Sequence, residues 1–139
     1  MKKKDRPSLK ILVVDDNQDS RELVIKILQK EAVQLFEAID GEDALEKVRQ
    51  IHPDLILLDI SLPKINGYEV IRRLKINNEF SAIPIIALTA HAMKGDKEKA
   101  IAAGCDGYIS KPIDIHDFPE RIALFLQQKD QFRSRLSGI

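Results

Sequence analysis

The chain has one cysteine, Cys105, so no internal disulfide can hold it together. It has no excess of either charge: 22 Lys and Arg stand against 22 Asp and Glu, without the basic footprint of a nucleic-acid or anionic-membrane binder. It has no apolar run long enough for a membrane span or a secretory signal, and its cysteine and histidines show no zinc-ligand spacing. Together these absences point to a cytoplasmic protein. At 139 residues there is enough chain for one domain with a real core and too little for two. The opening Met1-Lys2-Lys3-Lys4-Asp5-Arg6-Pro7 is charged and aperiodic, and residues 1–8 read as a flexible leader. Its three lysines come without a lipidation motif and make no membrane anchor.

Short apolar runs do occur, and two of them end in acid. Ile11-Leu12-Val13-Val14 runs into Asp15-Asp16, and Leu55-Ile56-Leu57-Leu58 runs into Asp59. A carboxylate that ends a buried strand cannot lie among apolar neighbours, so it belongs at the sheet edge, where ligands bind. Amphipathic stretches separate these runs. Asn17 can cap a first helix with an apolar stripe of Leu23, Ile27 and Leu28, broadened by Val24 and Ile25. Val33 to Ala38 reads as a second strand, and Asp40 with Asp43 as the capping arrangement of a helix carrying Ala44, Leu45, Val48 and Ile51. That helix stops before Pro53. Asp54 to Asp59 is a third strand, Pro63 and Gly67 mark a loop, and Val70, Ile71 and Leu74 repeat at helical spacing. Ile83 to Leu88 supplies a fourth strand and Lys94 to Ala103 a fourth helix, which Gly104 can end in a left-handed cap. Tyr108-Ile109 lies in a fifth strand, and Ile122, Phe125 and Leu126 lie on a last helix.

Five strands alternating with five helices imply a parallel sheet covered on both faces, because parallel neighbours need crossovers. The expected fold is α/β, a flavodoxin-like doubly wound (βα)5 arrangement with a five-stranded sheet of order 2-1-3-4-5. In that order the sheet changes its direction of growth between strands one and three, opening a crevice beyond their carboxyl ends. Asp15, Asp16 and Asp59 meet there. Three clustered carboxylates repel one another, and a hard divalent cation relieves the repulsion. Mg²⁺ suits such a site, because it keeps several waters and leaves room for a phosphoryl oxygen. Thr89 after strand four and Lys111 after strand five face the same rim. A lysine ammonium can neutralise a phosphoryl oxygen, a threonine hydroxyl can bond another, and a carboxylate can attack phosphorus.

The motifs Val13-Val14-Asp15-Asp16, Asp59-Ile60-Ser61-Leu62-Pro63, Gly67-Tyr68-Glu69-Val70, Leu88-Thr89-Ala90 and Gly107-Tyr108-Ile109-Ser110-Lys111-Pro112 occur in this order. Together they resemble the receiver domain of bacterial two-component response regulators, of the single-domain, chemotaxis-regulator-like kind. The resemblance implies that Asp59 is the phosphoacceptor. It implies that Asp16, Asp59 and the backbone carbonyl of Ser61 bind Mg²⁺ directly, with Asp15 acting mainly through water. Lys111 would hold the phosphoryl group, and Thr89 and Tyr108 would form a switch that alters the face built from helix four, strand five and helix five. In this family the bond corresponding to Lys111-Pro112 is commonly cis.

The function implied is a phosphorylation-dependent switch that takes a phosphoryl group from a sensor histidine kinase or a histidine phosphotransfer protein. It catalyses its own phosphorylation and slow dephosphorylation and is not a turnover enzyme. The receiver spans residues 9–126. Residues 127–139 are too few for a DNA-binding output domain, so output passes to another protein, from a monomer or weak dimer and without direct contact to nucleic acid or membrane. Either those residues are a polar tail, or Phe132 and Leu136 continue the apolar stripe of the last helix. Several positions depart from the family pattern: Ala32 stands where a turn glycine is frequent, Pro119 falls early in the last helix, and Ser61 and His91 sit where family members vary, beside the hydrolytic-water path. Pro119 is harmless if the helix starts at Asp117 or after a short turn. Alternatives are a fragment of a hybrid kinase or larger regulator, a nucleotide- or flavin-binding module, and a metal-dependent phosphatase. The module is disfavoured because Asp15-Asp16-Asn17-Gln18 places acid where a phosphate loop needs glycine. The phosphatase would need a substrate cap, and acetyl phosphate labelling separates it from a receiver.

Overall fold

The computed structural model describes residues 9–31, 33–62, 65–89 and 95–126. The leader 1–8, Ala32, Pro63, Ala90, His91, the expected helix start at Lys94 and the segment 127–139 lie outside the described residues. Strands β1 (Leu9–Val14), β2 (Val33–Ala38), β3 (Leu55–Asp59), β4 (Ile85–Thr89) and β5 (Gly107–Ser110) alternate with helices α1 (Gln18–Leu28), α2 (Gly41–Ile51), α3 (Gly67–Lys75) and α4 (Asp96–Ala103). A fifth helix, α5, occupies 117–126. The strands are parallel and ordered β2-β1-β3-β4-β5, as expected from the alternation.

Side chains of successive strand residues alternate between two cores. Leu12, Val14, Ile56 and Leu58 pack with Ala44, Val48, Val70, Ile71 and Leu74, which places α2 and α3 on one face. Ile11, Val13, Leu55, Leu57 and Leu88 pack with Val24, Ile27, Leu28, Phe118 and Ile122, which places α1 and α5 on the other. Strand β3 is buried along its whole length, so its acid can reach solvent only at the carboxyl end.

Helix starts follow from short polar side chains. Asn17 accepts from the Ser20 amide at 2.9 Å, and Asp40 accepts from the Asp43 amide at 2.8 Å while Asp43 accepts from the Ile39 amide at 3.0 Å. On α1 the buried residues are Val24, Ile27 and Leu28, all within the expected stripe, whereas Leu23, also expected there, is exposed. An amphipathic stripe wider than the sheet contact leaves its edge residue in water. Asp114, not Asp117, anchors the last helix. Its carboxylate accepts from the His116 and Asp117 amides at 2.9 and 3.2 Å, giving a short turn before α5. Pro119 then falls in the first helical turn, where its missing donor has no required partner. Gly104 ends α4 at φ 115°, in the left-handed cap its position suggested.

At the amino-terminal edge of the sheet, Lys75 gathers three segments. Its ammonium donates to the carbonyls of Ser81 and Ile83 at 3.2 and 2.8 Å and to Asp106 at 2.8 Å. Asp106 Oδ2 also accepts the amide of Ile85 at 2.9 Å. Lys75→Met keeps the stem and removes these bonds, and a loss of about 2–3 kcal/mol in urea unfolding is expected. An unchanged midpoint would show that the staple adds nothing.

Candidate functional site

The carboxyl ends of β1 and β3 lie side by side where the sheet reverses its growth, so the acids that follow them converge. The Asp15 amide continues the ladder to the Ala38 carbonyl at 3.1 Å. Its side chain is buried, with Oδ1 accepting the Asn17 amide at 2.9 Å and Oδ2 accepting the Lys111 ammonium at 2.9 Å. Asp59 is only 6% exposed, accepts the Ser61 amide on Oδ1 at 3.0 Å and faces Lys111 Nζ at 3.5 Å. Asp16 is exposed, yet one ligand oxygen from each of Asp15, Asp16 and Asp59 lies within 4.8 Å of the others.

Lys111 reaches this cluster from the far side of the sheet. Its amide donates to the Thr89 carbonyl at 2.7 Å, and the Lys111-Pro112 peptide is cis. Thr89 closes β4 opposite Ser110 and is buried. The expected residues at the rim thus share one edge. Tyr108 stands apart from them, paired with Ala87 two residues earlier along β4, and packs with Tyr68 and Cys105 against Ile60, Ala87 and Ala100.

Burial pushes the Asp59 carboxyl above its usual range, the Ser61 amide and the Lys111 charge offsetting this only in part, and the neighbouring Asp15 adds to the rise. For Lys111 burial works toward a lower value, but the Asp15 hydrogen bond and the charge of Asp59 outweigh it and hold the ammonium above its ordinary range. The Cys105 thiol is raised by burial and by Asp106, so it stays protonated. His52 is exposed, forms the left-handed cap of α2 at φ 52° and meets Glu79 at 2.8 Å.

The donor set fits Mg²⁺. All donors are hard oxygens, and oxygens around an octahedral Mg²⁺ stand about 3 Å apart when adjacent and about 4 Å when opposite, a spacing that the acid cluster can meet with small rotations. Lys111 supplies part of the charge balance, so one divalent ion is sufficient.

Two contributors escaped sequence reading. Gly67, taken for loop punctuation, is the first residue of α3, and a Cβ there would stand 2.5 Å from Ile60 Cα and 3.0 Å from the Asp59 carbonyl oxygen. Only hydrogen fits between that helix and the turn carrying Asp59. The signal was available: a glycine directly after Asn66, a residue suited to capping. Arg21, one turn into α1, reaches back to the Asp15 carbonyl at 2.9 Å and to Glu37 at 2.7 Å, pairings that no local pattern displays.

Residues 11–123 match the family described as the response regulator receiver domain. The chain belongs to that family. As a receiver it is 41% identical over 116 residues to the polar-differentiation response regulator DivK of Brucella ovis, covering 84% of this chain and 94% of that one. DivK of Brucella anthropi is 40% identical over the same length. Among solved structures, the chemotaxis response regulator CheY4 of Vibrio cholerae superposes with a TM-score of 0.80 at 26% identity, covering 86% of this receiver and 99% of that chain. A CheY-like receiver domain protein of Methanospirillum hungatei gives 0.83 at 26% identity, with 90% and 98% covered. The receiver is therefore a phosphorylation-dependent signalling module. Among the described residues, no helix is long and apolar enough to cross a membrane.

Proposed function

We propose that Asp59 accepts a phosphoryl group from a phosphohistidine on a sensor kinase or phosphotransfer protein in the cytoplasm, and that the receiver proper spans residues 9–126 with output through a protein partner. The observation that carries this reading is the convergence of Asp15, Asp16 and Asp59 within 4.8 Å, with the Lys111 ammonium between two of them. An Asp59 oxygen attacks phosphorus and forms the P–O bond as the P–N bond breaks. The departing electron pair returns to the imidazole, which takes up a proton. Water later attacks the same phosphorus, releasing inorganic phosphate and regenerating the carboxylate.

Lys111 moves from Asp15 toward a phosphoryl oxygen and neutralises it. Thr89, held to Lys111 through the backbone, offers its hydroxyl to another, and Tyr108 carries the change to the face of α4, β5 and α5. Asp16, Asp59 and the Ser61 carbonyl would hold Mg²⁺ directly, and Asp15 would act through water. That division is supported by the closer hold of Lys111 on Asp15, at 2.9 Å against 3.5 Å for Asp59. The cation, when bound, supplies charge neutralisation for the transferring group.

Acetyl phosphate with MgCl₂ is the test. Intact mass of the full chain is expected to show a single alkali-labile phosphoryl adduct, absent when EDTA replaces the metal. An adduct that forms equally in EDTA would overturn the cation's role, and no adduct at all would overturn the receptor role of Asp59.

A further inference from the structure

We infer that Arg21 is a positioning residue for the cation site, acting by fixing the peptide that joins Asp15 to Asp16. The inference rests on the proposed reading of the acid cluster as a Mg²⁺ site and adds a residue outside it. Arg21 Nη1 donates to the Asp15 carbonyl at 2.9 Å, and that carbonyl belongs to the Asp15–Asp16 peptide bond. Its Nε donates to Glu37 Oε1 at 2.7 Å. The side chain is 12% exposed, so the guanidinium lies in a defined seat between α1 and β2.

The seat is itself anchored. Glu37 pairs in register with Val13 on β1, two residues before Asp15. The Glu37 carbonyl accepts the Lys47 ammonium from α2 at 2.6 Å. The Arg21 amide donates to the Asn17 carbonyl at 3.0 Å, so the first turn of α1 holds the base of the side chain while its tip holds the turn that leads into it. The turn is thus restrained at the Asp15 amide by Ala38, at the Asp15 carboxylate by Asn17 and Lys111, and at the Asp15 carbonyl by Arg21.

Asp16 is the member of the cluster that needs this restraint. Asp15 and Asp59 are buried, and their surroundings determine where their carboxylates lie. Asp16 is exposed, so its direction follows from its backbone, and a rotation of the preceding peptide swings its carboxylate away from the other two. A guanidinium suits the task because its planar fork presents two donors in fixed relative orientation, one to each acceptor. A lysine ammonium is a point charge on a flexible stem and cannot set the peptide plane.

Calorimetric titration of MgCl₂ into the full chain, for wild type, Arg21→Met, Arg21→Lys and Glu37→Gln, tests this. Arg21→Met is expected to weaken Mg²⁺ binding about tenfold, within the range seen when outer partners of metal ligands are removed. Arg21→Lys is expected to weaken it nearly as much despite keeping the charge, and Glu37→Gln by about threefold. At saturating Mg²⁺ the labelling rate with acetyl phosphate returns to that of wild type, because Arg21 touches neither phosphorus nor nucleophile. A merely structural role would lower the melting temperature and leave the titration midpoint unmoved, and that result would overturn the inference. Should Arg21→Met fail to fold, Arg21→Lys and Glu37→Gln decide, and wild-type midpoints in both would overturn it. No Mg²⁺ binding by the wild-type chain would instead remove the cation site, and the role of Arg21 with it.

Discussion

Asp59→Asn is expected to abolish the phosphoryl adduct and, in buffer containing EDTA, to make the chain more stable. Both effects have one origin. The Asp59 carboxyl lies above its ordinary 3.8 because burial outweighs the Ser61 amide and the Lys111 ammonium. The native chain therefore keeps a proton that the unfolded chain has already released, and stability falls as pH rises from 3.8 through the raised value. Above both values the buried charge opposes folding in full. Asparagine keeps the shape and the acceptor for the Ser61 amide without the charge. Lys111 keeps its closer partner Asp15 at 2.9 Å, so the variant leaves no unpaired ammonium. The expected gain near pH 7 is about 1–2 kcal/mol, several degrees in melting temperature, shrinking to nothing below pH 3.8. Melts of both proteins across this pH range check the sign. A variant less stable than wild type at pH 7 would falsify the account of Asp59 as a strained acid.

Gly67→Ala is expected to damage fold and site together. The added carbon would stand 2.5 Å from Ile60 Cα, 2.9 Å from the Ile60 carbonyl oxygen and 3.0 Å from the Asp59 carbonyl oxygen. All three are backbone atoms, so no change of rotamer relieves the contact. The Gly67 amide also donates to the Ile60 carbonyl at 3.0 Å, and moving α3 away breaks that bond. Either α3 retreats or the turn after β3 shifts and takes Asp59 with it. A loss of about 3 kcal/mol follows from overpacking against backbone, and a displacement of about 1 Å at the nucleophile lowers the labelling rate about 100-fold. Chemical denaturation and the time course of acetyl phosphate labelling measure the two effects separately. Wild-type values in both would show that the turn yields freely.

Strand positions were legible because each buried strand is an unbroken apolar run, and β2 matches its expected bounds at Val33–Ala38. Helix starts at Asn17 and Asp40 were legible because an Asx side chain a few residues before an apolar stripe has one common use. The convergence of Asp15, Asp16 and Asp59 followed from strand order alone. What escaped was set by distance along the chain or by space. The Lys75–Asp106 and Arg21–Glu37 pairings join residues that meet only after the sheet forms, and exposed charges offer many such partners. Gly67 is read correctly only when the turn it must pass is in view. The exposure of Leu23 reflects a stripe whose edge is decided by the sheet beneath it.

Lys111 gives the site a mechanical property beyond charge. Its amide is fastened to the end of β4 through the Thr89 carbonyl, and its ammonium to the end of β1 through Asp15. One residue therefore ties the end of β4 to the end of β1 across β3, which lies between them. Anything that draws the ammonium off Asp15 releases that tether at its β1 end, whatever the chemical nature of the pull. A distance probe between the β1–α1 turn and the β4 end would read occupancy of the acids without a partner present.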